Sequence, residues 1–281
     1  MRFLLIGSGF LSSSISDFLE ASDHSVESVS KKSFSLSTIN ELICECDFVI
    51  YFLNGLNYDS SFEDYMNFTN EDFVRLKCIA SHCCALQKKF TFLSSGGGIY
   101  KFSSQDPSNE GSPLDICNYY SLYKILAEKF LHFLFASQPE LLLILRPTNP
   151  FGGKYNKSGI LATALRALST DSTLNIYSPL DAKKNYIYVD DFCEIVSKLV
   201  SSDDCFGLFN VGSDSHYSIS DLLSVIHRAT GEFVRYNPVK VNGHVQHSNN
   251  IDIDKLRRRV GRFQFTSLED GIFMLCSEVN K

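Results

Sequence analysis

Several protein classes are excluded by what this chain lacks. None of its nine cysteines forms a Cys-x-x-Cys pair, and none clusters with histidine at zinc-ligand spacing. The nearest pairings, Cys44-x-Cys46 and Cys83-Cys84, lie in apolar contexts and read as small buried side chains. An odd count without a framework fits a reducing compartment rather than a disulfide-stapled scaffold. Basic charge is not in excess. With 26 Lys+Arg against 32 Asp+Glu, a net charge of −6 gives no general footprint for nucleic acid or an anionic membrane. The one basic run, Lys255 to Arg262, reads as a solvated helix face. No apolar segment approaches a membrane span, and the run after Met1-Arg2 reaches Gly7 too soon for a signal-peptide core. Internal repeats, low-complexity tracts and long linkers are missing as well. A soluble cytoplasmic protein without a metal site is expected.

The 281 residues, 44% of them hydrophobic, suffice for one large α/β domain or two modest ones. Phe3 to Ile6 is a strand-length apolar run, followed by Gly7-Ser8-Gly9 and then Leu11, Ile15, Phe18 and Leu19 at helical spacing. Strands are expected at Val26 to Val29, Phe48 to Leu53, Phe90 to Leu93 and Leu141 to Leu145. Helices are expected around Ile39 to Leu42, over Glu71 to Leu86 and after Tyr120. Continuous apolar strands alternating with helices imply an α/β fold with a doubly wound, parallel, Rossmann-type sheet. From Pro147 the texture changes to Pro, Asn, Gly and Ser clusters. Helices are expected at Ile160 to Leu168, Phe192 to Val200 and Ser220 to Ala229, with a strand at Tyr186 to Val189. The expected division is a dinucleotide-binding domain from residues 1–150 plus about 180–212, and a small irregular C-terminal substrate lobe from 151–179 plus 213–281.

Gly7-x-Gly9-x-x-Ser12 approximates a dinucleotide fingerprint with serine at the third glycine. The glycines permit a tight turn and close approach of a pyrophosphate. The following helix start, Phe10 to Ser12, supplies unpaired N–H groups, and the hydroxyls of Ser12 and Ser13 are in reach of phosphate. The end of the second strand selects the cofactor. An Asp or Glu there would grip a ribose 2′-hydroxyl, but the chain reads Ser30-Lys31-Lys32, which suits a 2′-phosphate. NADP(H) is favoured over NAD(H). The alternative leaves both lysines as solvated loop residues.

Tyr120 and Lys124 lie one helical turn apart. A fixed ammonium stabilises a phenolate, so the pair forms a proton shuttle for carbonyl/alcohol interconversion beside a hydride carrier. The alternative is a boundary aromatic beside a solvated lysine. A second Tyr-x-x-x-Lys match, Tyr236 to Lys240, contains Pro238 and is set aside.

With these pieces in order, the chain resembles the extended short-chain dehydrogenase/reductases that modify nucleotide-sugars. The likeness is carried by the glycine turn, Asn70, Ser94-Ser95-Gly96-Gly97-Gly98-Ile99-Tyr100, Tyr120 to Lys124 with Glu128, and Arg146-Pro147-Thr148-Asn149-Pro150-Phe151-Gly152. It continues through Tyr186 to Asp191, Phe209-Asn210-Val211-Gly212 and Ile251 to Leu256. The resemblance implies that Tyr120 is the acid/base, and that Lys124 lowers its pKa and binds the nicotinamide ribose. It further implies that Leu53, Asn70 and Ser94 line the cofactor, that Asn149 touches a nucleotide-sugar, and that Lys184 replaces a diphosphate-gripping arginine. A homodimer is the expected assembly.

Gly96 stands where relatives carry a substrate-polarising serine or threonine. Ser95 is the expected stand-in, with Gly96 at the substrate and Gly96→Ser tolerated. Gly97 and Gly98 stand where dehydratases carry an acidic pair, so dehydration is disfavoured. The expected activity is NAD(P)-dependent hydride transfer at carbon 4 of a nucleotide-sugar, foremost reduction of a 4-keto (deoxy)sugar nucleotide for polysaccharide precursors. A 4-epimerase is the alternative, and a non-catalytic NAD(P)-binding sensor or scaffold the third reading.

Overall fold

The computed structural model describes residues 1–101, 107–202, 204, 206–239 and 250–279. Its first half alternates strand and helix: β1 (Arg2–Ile6), α1 (Phe10–Ala21), β2 (Ser25–Val29), α2 (Leu36–Glu45), β3 (Phe48–Tyr51), α3 (Phe62–Phe68), α4 (Val74–Ala85), β4 (Lys89–Leu93), α5 (Tyr119–Leu134) and β5 (Leu142–Pro147). The second half comprises β6 (Asn149–Phe151), α6 (Gly159–Ser169), β7 (Leu174–Ile176), β8 (Lys184–Tyr188), α7 (Val189–Val200), β9 (Gly207–Val211), β10 (His216–Tyr217), α8 (Ile219–Thr230), β11 (Tyr236–Pro238), α9 (Asp254–Val260) and α10 (Leu268–Val279).

Six strands form one parallel sheet in the order β2-β1-β3-β4-β5-β9, the doubly wound Rossmann-type arrangement. The reason lies in the strands' apolar runs. Phe3–Ile6, Phe48–Tyr51 and Leu142–Pro147 are buried throughout, which requires cover on both faces. One face receives Ile15 and Leu19 of α1 and Phe192 and Val196 of α7. The other receives Ile39 and Ile43 of α2, Leu76 and Ile79 of α4, and Tyr123 and Leu131 of α5. By contrast β2 reads Ser-Val-Glu-Ser-Val and is largely exposed, so it takes the edge. The chain leaves β1 for β2 on one side and returns to β3 on the other, opening a crevice over the carboxyl ends of β1 and β3.

The smaller lobe contains the sheet β10-β8-β6 and the pair β11-β7. With α6, α8 and α10 these strands enclose Phe151, Leu161, Ile176, Tyr186, Leu222, Ile226 and Ile272. Two assignments differ from the sequence expectation. Lys184–Tyr188 was expected with the dinucleotide domain, yet β8 hydrogen-bonds β6 and β10. Ile251, Ile253 and Leu256 were expected in the lobe, yet they join Phe209 in the apolar cluster on the large sheet. Both follow from burial of single apolar side chains that local periodicity does not direct to either lobe.

Other differences are local. The third strand stops at Tyr51, and Phe52-Leu53 bends into the crevice, its start held by the Phe52 N–H donating to the Ile6 carbonyl at 2.8 Å. The helix expected from Glu71 begins as α4 at Val74, after a π-type turn over Thr69–Phe73 that carries Asp72 fully inward. Helix α3 is started by Ser61 and Asp64 in a reciprocal capping box. The basic run is helical over Asp254–Val260, with Arg257 paired to Asp214 and Arg259 to Asp204, both partly solvated. Lys240, from the discarded Tyr-x-x-x-Lys match, lies outside the described residues.

Candidate active site

Gly7 ends β1 with φ +132°, a conformation that strains any side chain, and a Cβ there would stand 3.0 Å from the Cβ of Phe52. Gly9 serves differently. It is the N-cap of α1 in an extended conformation, and a Cβ on it would meet nothing within 4 Å. It leaves open space above a helix start that no side chain caps. The first-turn N–H groups, from Phe10 onward, have no intrahelical partner and face that space as a ready anion site. Ser12 lines the crevice as well. Ser12 is buried and donates to the Gly9 carbonyl at 3.0 Å, so its small side chain packs the helix onto the sheet.

At the end of β2, Ser30 accepts from the Ser33 N–H at 3.2 Å and closes a short 3₁₀ turn. Lys31, which follows, lines the crevice. Its Nζ donates to Asp72 at 2.9 Å, and the same buried carboxylate takes Arg75 at 2.7 Å. Lys32 does not line the crevice, so the expected pair reduces to one lysine. Asn70 is exposed on the π-type turn and also stays outside the crevice. The turn directs Asp72 inward instead.

The catalytic candidates meet where β4 ends and α5 begins. Asn118 accepts from the Ser121 N–H at 2.8 Å, and the Ser121 hydroxyl accepts from the Asn118 N–H at 3.1 Å, a reciprocal cap. This fixes Tyr120 in the first turn and Lys124 one turn later. Lys124 is 3% exposed, its Nζ donating to the Leu93 carbonyl at 2.7 Å and standing 5.8 Å from the Tyr120 ring centre. Burial pushes this ammonium down to about 7, opposed by Glu128 nearby. Burial raises the Tyr120 phenol, and a hydrogen bond with Ser95 opposes that rise. The phenol therefore holds its proton, the state in which it can donate one. The Ser94 hydroxyl, buried and lining the crevice, has no partner in the protein. A bound ligand can satisfy it.

Gly96 does not line the crevice. Its N–H donates to the Pro147 carbonyl at 2.7 Å, and a Cβ would stand 2.6 Å from the Arg146 carbonyl oxygen. The backbone here is drawn against β5, so a serine at 96 would collide with main chain. The expected tolerance of Gly96→Ser is overturned, whereas Ser95, 5% exposed, lines the crevice together with Tyr120.

The resemblance segments beyond the crevice lock together in the interior. Arg146 makes a bidentate pair with Glu128 at 2.9 and 2.5 Å and donates to the Tyr100 hydroxyl at 2.7 Å. That hydroxyl donates to Asn210 at 2.6 Å. A buried pair of this kind requires all its hydrogen bonds satisfied, and it ties α5, β5 and β9 beneath the Tyr120–Lys124 pair.

The crevice is a cavity of about 840 Å³ that reaches the small lobe through Asn149, Ser158, Lys184 and Tyr186. Asn149 donates to the Asn185 carbonyl at 2.7 Å. Burial lowers the Lys184 ammonium, with no carboxylate opposing it. Among the described residues the lining holds Lys31, Lys124 and Lys184 and no carboxylate. Asn54, beside Leu53, also lines it, as does Tyr58 in the loop after β3, which carries no periodic or motif signal. The described cysteines are free thiols. Among the described residues no group of three His, Cys, Asp or Glu is placed to hold a metal, and no helix is long and apolar enough to cross a membrane.

A doubly wound sheet with an uncapped glycine turn at its switch point, facing a half-buried tyrosine and a buried lysine, defines a dinucleotide-binding α/β protein of the reductase and epimerase type. The chain belongs to the NAD dependent epimerase/dehydratase family, whose model matches residues 4–212. It is 27% identical over 200 residues to a dTDP-4-dehydro-6-deoxyglucose reductase of Escherichia coli, covering 68% of this chain and 61% of the relative. It is 24% identical over 191 residues to a UDP-glucose 4-epimerase of Mycolicibacterium smegmatis, covering 66% and 60%. The chain thus matches about three-fifths of the length of these two relatives. A UDP-glucose 4-epimerase of Thermus thermophilus, solved in complex with NAD, superposes with a TM-score of 0.87 at 20% identity, covering 100% of this chain and 99% of the other. At that identity the likeness shows the fold.

Proposed function

We propose that this chain reduces a nucleotide-linked 4-keto sugar with a nicotinamide dinucleotide, NADPH in preference to NADH. The observation that carries it is the composition of the crevice: among the described residues, Lys31 and Lys184 and no carboxylate around the Tyr120 phenol, the Lys124 ammonium and a serine hydroxyl. Such a lining suits two diphosphate-bearing molecules laid end to end. The uncapped start of α1, the open space over Gly9 and the unpartnered Ser94 hydroxyl fit a dinucleotide on the large sheet. That dinucleotide, when bound, supplies the hydride that the sugar carbon receives. Lys31, held at the crevice by Asp72, would meet a ribose 2′-phosphate, and no carboxylate is present for a free 2′-hydroxyl.

In this reading Ser95 donates a hydrogen bond to the ketone oxygen at carbon 4. Tyr120 transfers its proton to that oxygen as the carbon is reduced, and Lys124, charged in the loaded site, stabilises the phenolate left behind. Asn149 and Lys184 bind the sugar nucleotide, Lys184 as a point charge at its diphosphate. Dehydration is disfavoured because Gly97 and Gly98 carry no acid that could drive an elimination.

The test mixes the protein with NADPH and dTDP-4-dehydro-6-deoxyglucose and follows cofactor oxidation. Stoichiometric oxidation with formation of the 4-hydroxy sugar supports the reading. Interconversion of UDP-glucose and UDP-galactose on added NAD, without net cofactor consumption, would move the assignment to a 4-epimerase.

A further inference from the structure

One buried amide joins the two lobes beside the crevice. Asn185 is fully buried in β8, between Lys184 and Tyr186, which both line the crevice. Side chains alternate along a strand, so its carboxamide points the other way, into the interior. There Oδ1 accepts from the Thr148 hydroxyl at 2.9 Å and from the Ser213 N–H at 3.0 Å. Nδ2 donates to the Ser213 carbonyl at 2.8 Å and to the Ser215 carbonyl at 3.1 Å. A side-chain amide has two N–H donors and an oxygen with two lone pairs, and all are engaged here. Gly212 clears the volume, since a Cβ on it would collide with Asn185 Oδ1.

The partners of this amide belong to the large sheet. Thr148 follows β5 and Ser213 lies just past β9, and these strands are neighbours. Their ends are tied further by the Thr148 N–H donating to the Val211 carbonyl at 2.9 Å. Asn185 itself sits in the small lobe's sheet, β10-β8-β6, and its main-chain carbonyl accepts from Asn149 Nδ2 at 2.7 Å. It therefore pins β8 to the carboxyl ends of β5 and β9, and holds Asn149 as well. The oxygen faces two donors and the nitrogen two carbonyls, so the place calls for an amide. A carboxylate would set an oxygen against the Ser213 and Ser215 carbonyls.

We propose that Asn185 is a positioning residue for the nucleotide end of the substrate. By clamping β8 to the ends of β5 and β9, it sets where the Lys184 ammonium and the Asn149 amide stand relative to Ser95 and Tyr120. This rests on the reading of Lys184 and Asn149 as groups that bind a sugar nucleotide.

The experiment titrates UDP and dTDP into the full chain by calorimetry. It also follows turnover with NADPH and dTDP-4-dehydro-6-deoxyglucose, or with NAD and UDP-glucose. Asn185→Asp is nearly isosteric and should weaken the nucleoside diphosphate by about tenfold. The KM of the sugar nucleotide should rise in step, with kcat within about threefold and dinucleotide Kd within about twofold of wild type. Gly212→Ala, which crowds the amide from outside the crevice, should reproduce this split. In a chain that also carries Lys184→Ala and Asn149→Ala, Asn185→Asp should cost less than about twofold, because what it positions is gone. Thr148→Val removes one bond of the four and should give the same split at about threefold, which keeps the test open if Asn185→Asp does not fold. Matching losses in kcat and dinucleotide affinity would show that Asn185 only holds the fold together, and overturn the proposal. An equal loss of nucleoside diphosphate with and without Lys184 and Asn149 overturns it too. So does silence of Asn185→Asp while Lys184→Ala weakens UDP or dTDP, a result that leaves the functional reading intact. If Lys184→Ala is silent, or the wild type binds neither UDP nor dTDP, the reading itself fails and the proposal falls with it.

Discussion

The two halves of the crevice are built by different means. The half over β1 and α1 is made by consecutive residues, Gly7 to Ser12, and mostly by main chain: one strained glycine, one open glycine and the N–H groups of a helix start. The half over β4 and α5 is made by side chains brought from separate elements. Tyr58 follows β3, Ser94 and Ser95 follow β4, Tyr120 and Lys124 begin α5, and Lys184 starts β8. A backbone site binds phosphate generically and tolerates varied side chains, whereas a side-chain site is specific and fails when one partner is lost. The chemistry therefore concentrates in the second half.

That contrast can be broken or sharpened by single substitutions. The largest effect is expected from Tyr120→Phe, which should cut turnover by ~10²–10⁴-fold. Dinucleotide affinity, measured by fluorescence titration, should hardly change, because the backbone half is untouched. Comparable losses of binding and turnover would erase the distinction between the halves. Ser95→Ala comes next, with kcat lower by at least about tenfold and up to ~10²–10³-fold, the range for a lost transition-state donor. Gly96→Ser should not raise activity. Its Cβ would press on the Arg146 carbonyl at 2.6 Å, so a lowered Tm is expected, and an activity gain of orders of magnitude would show that Ser95 does not supply the hydroxyl.

Lys31→Ala should weaken NADPH by about tenfold while leaving NADH within about twofold, since only the former presents a 2′-phosphate to a charged donor. Equal effects on both cofactors would detach Lys31 from cofactor choice. The smallest effect concerns stability. Burial holds the Lys124 ammonium down at about 7, against an unfolded value of about 10.4. Between those values the unfolded chain keeps a proton that the folded chain has released. Through this residue, then, stability rises with pH across that window and carries the full burial penalty below it. Lys124→Met should raise the Tm of the ligand-free protein at about pH 6 by about 2–4 °C, net of the Leu93 carbonyl it leaves unpaired, and by less near pH 10. A Tm gain that does not depend on pH would show that charge burial is not its source.

Local pattern made much of this protein legible. The apolar runs at Phe3, Phe48, Phe90 and Leu142 could only be strands of a sheet covered on both sides, and helical stripes between them supplied the cover. Gly7-x-Gly9 between a strand and a helix placed the backbone half of the site within six residues. The spacing of Tyr120 and Lys124 placed two of its side chains on one helical face. Elsewhere the pattern was silent. Strands β6, β7, β10 and β11 are three residues or fewer, too short to show a period. Asn70 and Lys32 lie beside the right residues in the chain but outside the crevice, because a π-type turn and a 3₁₀ turn rotate their neighbours inward instead.

What the sequence determined by itself is whatever follows from contacts within one turn or one strand: element type, the glycine turn, and the phenol and ammonium on α5. What only the tertiary structure decided is which of two adjacent residues faces the crevice. Gly96 is shut out by the carbonyls of β5, some fifty positions later, and Ser95 is thereby the one left at Tyr120. Tyr58 enters because Gly98, forty positions on, vacates the volume its hydroxyl needs. Steric exclusion between distant main-chain segments has no local period, so no reading of neighbours along the chain contains it.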